Sequence, residues 1–111
     1  MKVSELASRA GMQLVSPPED ALADVRRVYA ADTMSELIAH AAAGTILVTR
    51  LDNAQLARVA ELMDAPAVCL VGRERPAPEL LEAARRAGAA VIVSRLGLAD
   101  TVRTLAELLQ P

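Results

Sequence analysis

Three arginines of the sequence follow short apolar segments. Each is preceded by a valine and a small residue, and the three arginines recur at intervals of 23 and 22 residues, in Val48-Thr49-Arg50, Val71-Gly72-Arg73 and Val93-Ser94-Arg95. A guanidinium group beside a hydroxyl or an unhindered glycine backbone is suited to holding a phosphate or carboxylate. The pattern therefore suggests an anion site, provided that the fold brings the three arginines together.

The segments around these arginines are typical of a parallel α/β unit. Apolar residues are consecutive at 46–48, 67–71 and 89–93, as expected of strands that are covered on both faces. One helical segment of about a dozen residues separates each run from the next. Because parallel crossovers are right-handed, all three strands should point the same way. The interval of 22–23 residues is then the length of one strand and one helix.

Parallel strands would bring the three arginines to one edge of the sheet, at the carboxyl ends of the strands, where open α/β sheets bind ligands. Each arginine also lies just before a helix N-terminus, which favours anions. The candidate ligand-binding residues are Asp32, Thr49, Arg50, Gly72, Arg73, Ser94 and Arg95. A second interpretation stays open, since a strand that leaves the core must become polar and these arginines could be solvated loop residues.

The first 30 residues predict a helix and two strands. A helical stripe begins at Val3 and ends at Gly11, a residue type suited to a left-handed cap. The weakly alternating "MQLVS" and the proline-led turn "SPPED" follow, and "DVRRVYA" predicts a strand near an edge. The predicted faces of this last strand are Val25, Arg27 and Tyr29 on one side and Arg26, Val28 and Ala30 on the other.

Capping patterns predict where the later helices begin. Thr33 with Glu36, and Asp52 with Gln55, have capping-box spacing, and the first of these helices includes Ile38 in its apolar stripe. The predicted helices run from Thr33 to Gly44, from Asp52 to before Pro66, from Pro78 to Gly88 and from Leu98 to Leu109. The fold class is therefore α/β, a single three-layer domain over 1–111 with a mostly parallel sheet of about five strands flanked by helices.

Composition narrows the classes of function. The chain has 111 residues, 53% of them apolar, with one Tyr, no Phe or Trp and a net charge of −2. It lacks a clustered basic face and a long apolar segment, so we expect neither a nucleic-acid partner nor a membrane, and a cytoplasmic location. The single cysteine, Cys69, can form neither an internal disulfide nor a zinc site, and we expect it to be a buried, inert thiol.

No catalytic constellation is evident in the sequence. His40 is the one histidine, and no partner that would make it a general base is identifiable. Tyr29, the one aromatic residue, is more typical of a core or an interface. The segment "GRERPAP" has a single glycine and matches no nucleotide phosphate loop. We therefore predict no catalytic residue, no metal and no cofactor.

The segment "VYAADTMSELIAHAAAGTILVT", with Tyr29, Asp32 and Ser35, and the later "LVGRERPAPELLEAARRAGAAVIVS" resemble the DRTGG domain family. The likeness is closest to small stand-alone members and extends over nearly the whole chain. Relatives carry Thr-Gly-Gly at the end of the fourth strand, where this sequence has Val71-Gly72-Arg73. We expect Gly72 to be required for its backbone, because a tight strand exit favours a positive φ.

The resemblance implies a domain that pairs with itself and serves regulation without an established reaction. Related domains lie beside cystathionine-beta-synthase (CBS) type domains in some pyrophosphatases and within phosphate acetyltransferases, and the N-terminal non-catalytic domain of HPr kinase/phosphorylase is similar in fold. Stand-alone members often sit in gene neighbourhoods of iron-only hydrogenases.

Two functions follow as hypotheses. The first is a non-enzymatic regulatory domain that binds an adenine nucleotide or phosphorylated metabolite at the carboxyl edge of the sheet. The alternative is a homodimeric assembly module acting on a partner enzyme, such as an iron-only hydrogenase system. The apolar residues left outside the main helical stripes would then mark its interface. These residues are Leu81, Leu96 and Leu108.

Overall fold

Helices and strands alternate along most of the chain. The structure is a computed structural model that describes residues 1–16 and 23–110, so the predicted "SPPED" turn lies, after Ser16, outside the described residues. In chain order the elements are α1 Val3–Ala10, β1 Gln13–Ser16, β2 Arg27–Ala30, α2 Met34–His40, β3 Thr45–Thr49, α3 Ala54–Leu62, β4 Ala67–Val71, α4 Pro78–Ala87, β5 Ala90–Ser94 and α5 Leu98–Leu109.

The five strands form one sheet in the order β1-β5-β4-β3-β2. Strands β2 to β5 are parallel, and β1 is antiparallel to β5. All residues of β3, β4 and β5 are buried, as expected from their consecutive apolar residues. The prediction of a mostly parallel α/β sheet is confirmed, and β2 lies at an edge as "DVRRVYA" predicted.

Alternate residues of the central strands face two separate cores. Leu47, Val68 and Val91 pack with helices α2, α3 and α4 on one face of the sheet. Ile46, Cys69 and Ile92 pack with α1 and α5 on the other face. Helices therefore cover both faces, which confirms the predicted three layers.

Several helix ends follow the predicted local signals. Gly11 and Gly88 end α1 and α4 in the left-handed conformation, with φ of 70° and 71°. The Thr33 hydroxyl accepts a hydrogen bond from the Glu36 N–H at 3.4 Å and caps α2. These ends depend on the backbone within one helical turn, which explains why the sequence alone predicted them.

Helix α2 is shorter than its apolar pattern predicted. It ends at His40, because Ala41 adopts an extended conformation and starts the turn into β3. Ile38 is 45% exposed, although its spacing placed it in the buried stripe. Leu37 is a buried residue of this seven-residue helix. The main contacts of α2 are with the edge strand β2 and helix α3, so these two elements cover a small part of its surface.

The prediction for Val25 is wrong for a related reason. Val25 precedes β2, so the alternation of the strand does not apply to it. Its N–H donates to the Met1 carbonyl at 2.7 Å, and its side chain is buried in the same core as Val28 and Ala30. The chain terminus, distant in sequence, therefore decides which face Val25 occupies.

Cys69 is a fully buried residue of β4, and burial raises the pKa of its thiol to about 12. The desolvated thiolate is disfavoured, so the folded thiol stays protonated at neutral pH, in agreement with an inert, structural cysteine.

This shift predicts a specific loss of stability in alkali. The thiol of the unfolded chain ionises near its ordinary pKa of 9.0, whereas the folded thiol does so near 12, so the stability present below pH 9 is lost as pH rises between these values. We expect a contribution of up to about 1.4 kcal/mol per pH unit. Urea unfolding at a series of pH values gives the free energy of unfolding of wild type and of Cys69→Ala. Between pH 9 and 12 this free energy should fall more steeply with pH for wild type, and an equal pH dependence of the two proteins would contradict the prediction.

Candidate functional site

The carboxyl ends of β3, β4 and β5 lie side by side at one edge of the sheet. Thr49 of β3 is opposite Leu70 of β4, and Val71 of β4 is opposite Ser94 of β5, so the three strands end within about one residue of each other. Arg50, Arg73 and Arg95 follow these ends and have exposed side chains. The edge is the one that the parallel topology predicted.

Arg50 is paired with an aspartate of the neighbouring strand exit. The Asp32 carboxylate accepts hydrogen bonds from the Arg50 N–H at 3.0 Å and from the Arg50 guanidinium group. Asp32 follows β2, so this ion pair ties the exits of β2 and β3 together. Because each charge is neutralised by the other, Arg50 and Asp32 are less available to a charged ligand than the sequence predicted.

Arg73 forms an ion pair with Asp52. The capping pattern predicted Asp52 as the N-cap of α3, and this prediction is wrong. Asn53 caps α3, since its side chain accepts from the Gln55 N–H at 3.0 Å. The Asp52 side chain is only 2% exposed, and its oxygen atoms accept from the Ala77 N–H at 2.8 and 3.0 Å. The Arg73 Nε lies 3.4 Å from the same carboxylate. Through these contacts Asp52 anchors both ends of the loop between β4 and α4.

The side-chain hydroxyl groups of the candidate residues Thr49 and Ser94 accept hydrogen bonds from backbone N–H groups two residues further along the chain. Thr49 Oγ1 accepts from the Leu51 N–H at 3.1 Å. Ser94 Oγ accepts from the Leu96 N–H at 3.1 Å and is hydrogen-bonded to Thr101 Oγ1 at 2.7 Å. Thr49 and Ser94 are 0% and 1% exposed, so these groups shape the loops that carry the arginines.

Gly72 has a φ of +80°, and a Cβ built on it would meet no atom within 4 Å. Backbone conformation and not close approach is thus the reason for glycine here, as the strand exit predicted.

Arg95 lines a groove beside α4, which sequence reasoning did not identify. The groove has a volume of ≈ 930 Å³, within the usual range of small-molecule sites of about 300–1,000 Å³. Its floor consists of Gln13 and Val15 of β1 and Val93 of β5, and its wall includes Pro78 and Leu81 of α4. The antiparallel strand β1 contributes to this groove, because it extends the sheet beyond β5 and supplies Gln13 and Val15 to the lining.

The mouth of the groove has a net positive charge. Arg75, in the loop that Asp52 holds, and Arg95 both line it, together with Glu74. Both arginines are exposed, and within residues 1–16 and 23–110 neither forms an ion pair. These two guanidinium groups are therefore available to a ligand in a way that Arg50 and Arg73 are not.

The remaining chemistry-bearing residues lie elsewhere. His40 stacks on Tyr29 with ring centroids 4.2 Å apart, beside β2 at the opposite edge of the sheet from the groove. Within the described part of the chain, no cluster of His, Cys, Asp or Glu could hold a metal ion. Likewise, no helix there has the length and apolar character needed to cross a membrane.

No known protein-family model matches the chain, and no curated protein sequence matches it. A solved structure does match in fold, with a TM-score of 0.68 at 14% sequence identity over 94% of this chain. It contains the CBS and DRTGG domains of the regulatory region of Clostridium perfringens pyrophosphatase, complexed with the activator diadenosine tetraphosphate. The similarity supports a DRTGG-like fold. The chain spans 45% of that structure, less than half of its length.

The role of Asp52 can be tested through stability. We expect Asp52→Ala to lower the free energy of unfolding by about 1.5–3 kcal/mol, because the Ala77 N–H loses a charged acceptor. Asp52→Asn should lose less, since an amide oxygen can still accept this bond. Asp100→Ala is the matched control, because Asp100 is 56% exposed and pairs with Arg103, and exposed pairs contribute about 0–1 kcal/mol. Equal losses in denaturant unfolding for Asp52→Ala and Asp100→Ala would contradict this role.

Proposed function

We propose that this chain is a non-catalytic regulatory domain that binds a small anionic ligand, an adenine nucleotide or a phosphorylated metabolite, at the carboxyl edge of the sheet. The observation that carries this proposal is the groove whose mouth holds Arg75 and Arg95. The anion contacts these two guanidinium groups. The other candidate residues, Asp32, Thr49, Arg50, Gly72, Arg73 and Ser94, act by shaping the neighbouring loops.

The chemistry of the groove favours binding over catalysis. Arginine forms charge-assisted, bidentate hydrogen bonds with phosphate and carboxylate, which are among the stronger polar contacts in proteins. The described lining includes one carboxylate, that of Glu74, and no histidine, cysteine, serine or threonine. Such a lining can hold an anion but supplies no nucleophile and no paired acid and base.

The fold comparison supports a regulatory role. The matched structure holds the CBS and DRTGG domains of the regulatory region of a pyrophosphatase, complexed with the activator diadenosine tetraphosphate. Under this proposal the present chain reports on a nucleotide or phosphometabolite to a larger assembly, as a member of the DRTGG domain family in the cytoplasm.

A thermal-shift assay tests the proposal with the whole chain. AMP, ATP and diadenosine tetraphosphate serve as probes, and a ligand present at about a hundredfold its Kd should stabilise the fold by about 2.7 kcal/mol and raise the Tm. Arg95→Ala should reduce the shift, because one of the two guanidinium groups that hold the anion is lost. Arg103→Ala, an equal change of charge on α5, should retain it. The proposal fails if neither these probes nor a phosphometabolite panel shifts the Tm, or if Arg95→Ala responds like wild type.

A second candidate is a homodimeric module that docks on a partner enzyme, such as an iron-only hydrogenase system. Of the three leucines left outside the helical stripes, Leu96 is 41% exposed, whereas Leu81 lines the groove and Leu108 packs against a core. The specific observation in favour of this candidate is Leu62, at the end of α3, which is 81% exposed. An apolar side chain at this exposure gains from contact with a second surface.

Light scattering at high micromolar concentration tests self-association. We expect the mass of a dimer for wild type, and a shift toward monomer for Leu62→Gln, because the substitution removes apolar area from the contact. Glu61→Gln is the matched control on the adjacent exposed position and should remain a dimer. A monomeric wild type would overturn this candidate and leave the ligand-binding proposal intact.

A further inference from the structure

The groove has a charged end and an apolar end. Arg95 directly follows β5 and Arg75 lies in the loop after β4, so both are at the carboxyl edge. Gln13 is opposite Val93, and Val15 lies between the levels of Ile92 and Val91, or about 3–6 Å further from this edge. Leu81 is three residues into α4 from Pro78, about 4.5 Å along the helix axis. The lining residues Val15 and Leu81, which lie away from the arginines, are therefore apolar.

A bulge in β1 contributes to the apolar end. The register shifts between Leu14, opposite Ile92, and Ser16, opposite Val91, so Val15 is an extra residue in the strand. Such bulges re-aim side chains, and here the Val15 side chain lines the groove. Pro76 and Pro78 restrict the backbone of the facing loop. A ligand body would thus meet a pre-formed apolar surface, which lowers the entropy cost of binding.

The charge at the mouth suits one anionic group better than several. Arg75 and Arg95 with Glu74 give the described lining of the groove a net charge of plus one. A phosphate monoester carries about −1.5 to −2 at neutral pH, close to what two guanidinium groups neutralise. Further phosphates would add negative charge beside the Glu74 carboxylate, where like charges repel.

We propose that the groove selects an anion with a single phosphate group on an apolar or aromatic body, the chemical class of a nucleoside monophosphate. The phosphate lies between Arg75 and Arg95, and the body lies against Val15 and Leu81. The Gln13 amide and the Glu74 carboxylate are polar groups of the lining that can bond to the hydroxyl or amino groups of the body. This inference rests on the proposed ligand-binding function and specifies its ligand.

Isothermal titration of the whole wild-type chain with four probes tests the inference without any variant. We expect AMP to bind at least about tenfold more tightly than inorganic phosphate, adenosine or ATP, because only AMP combines one phosphate with an apolar body. Two variants then separate the ends of the groove. Arg95→Ala should weaken AMP binding at least about tenfold. Leu81→Gln, which preserves size and charge, should weaken AMP binding but leave phosphate binding unchanged.

The outcomes distinguish this inference from the function on which it rests. If ATP binds more tightly than AMP, or inorganic phosphate binds as tightly as AMP, and Arg95→Ala removes that binding, the selectivity is wrong while the anion-binding function stands. If Leu81→Gln leaves AMP binding unchanged, or weakens phosphate as much as AMP, the apolar end does not hold the body of the ligand and the inference is overturned. If none of the four probes binds, this inference is overturned, and the anion-binding function is overturned with it only if the phosphometabolite panel of the thermal-shift assay also gives no shift.

Discussion

Burial of β3, β4 and β5 on both faces is the constraint on which the rest of the structure depends. Every residue of these strands is buried, and alternate side chains enter two different cores. Each fully buried leucine or isoleucine contributes about 1.5–3 kcal/mol, whereas an exposed ion pair contributes about 0–1 kcal/mol. The sheet thus holds the fold together, and polar groups are confined to the strand ends.

At the carboxyl edge, many of the polar groups at the strand exits are partners of one another. Arg50 is paired with Asp32 and Arg73 with Asp52, while the Thr49 and Ser94 hydroxyls bond to the backbone of their own turns. These groups satisfy one another and stiffen the loops. Charge without a partner among the described residues remains at the mouth of the neighbouring groove, on Arg75 and Arg95. An arginine of this region is therefore structural where a carboxylate pairs with it, and available to a ligand where no described carboxylate does.

The predictability of each feature depends on the distance over which its cause acts. The left-handed ends at Gly11 and Gly88, the Thr33 cap and the positive φ of Gly72 are local, and the sequence alone predicted each of them. Ile38 and Val25 were misplaced because their burial depends on which helices or termini lie beside them. Asp52 was misplaced because its partner, the Ala77 N–H, is 25 residues away in the chain.

The sequence by itself determined the α/β class, the parallel direction of the central strands and the edge at which the three arginines lie, since these follow from apolar periodicity and the handedness of crossovers. Tertiary structure alone decided which arginines are neutralised and where a ligand-sized groove exists. Carboxylates from other loops pair with Arg50 and Arg73, and the antiparallel strand β1 extends the sheet beyond β5 and lines the groove. Both effects join residues distant in sequence, so no local pattern of residue types records them.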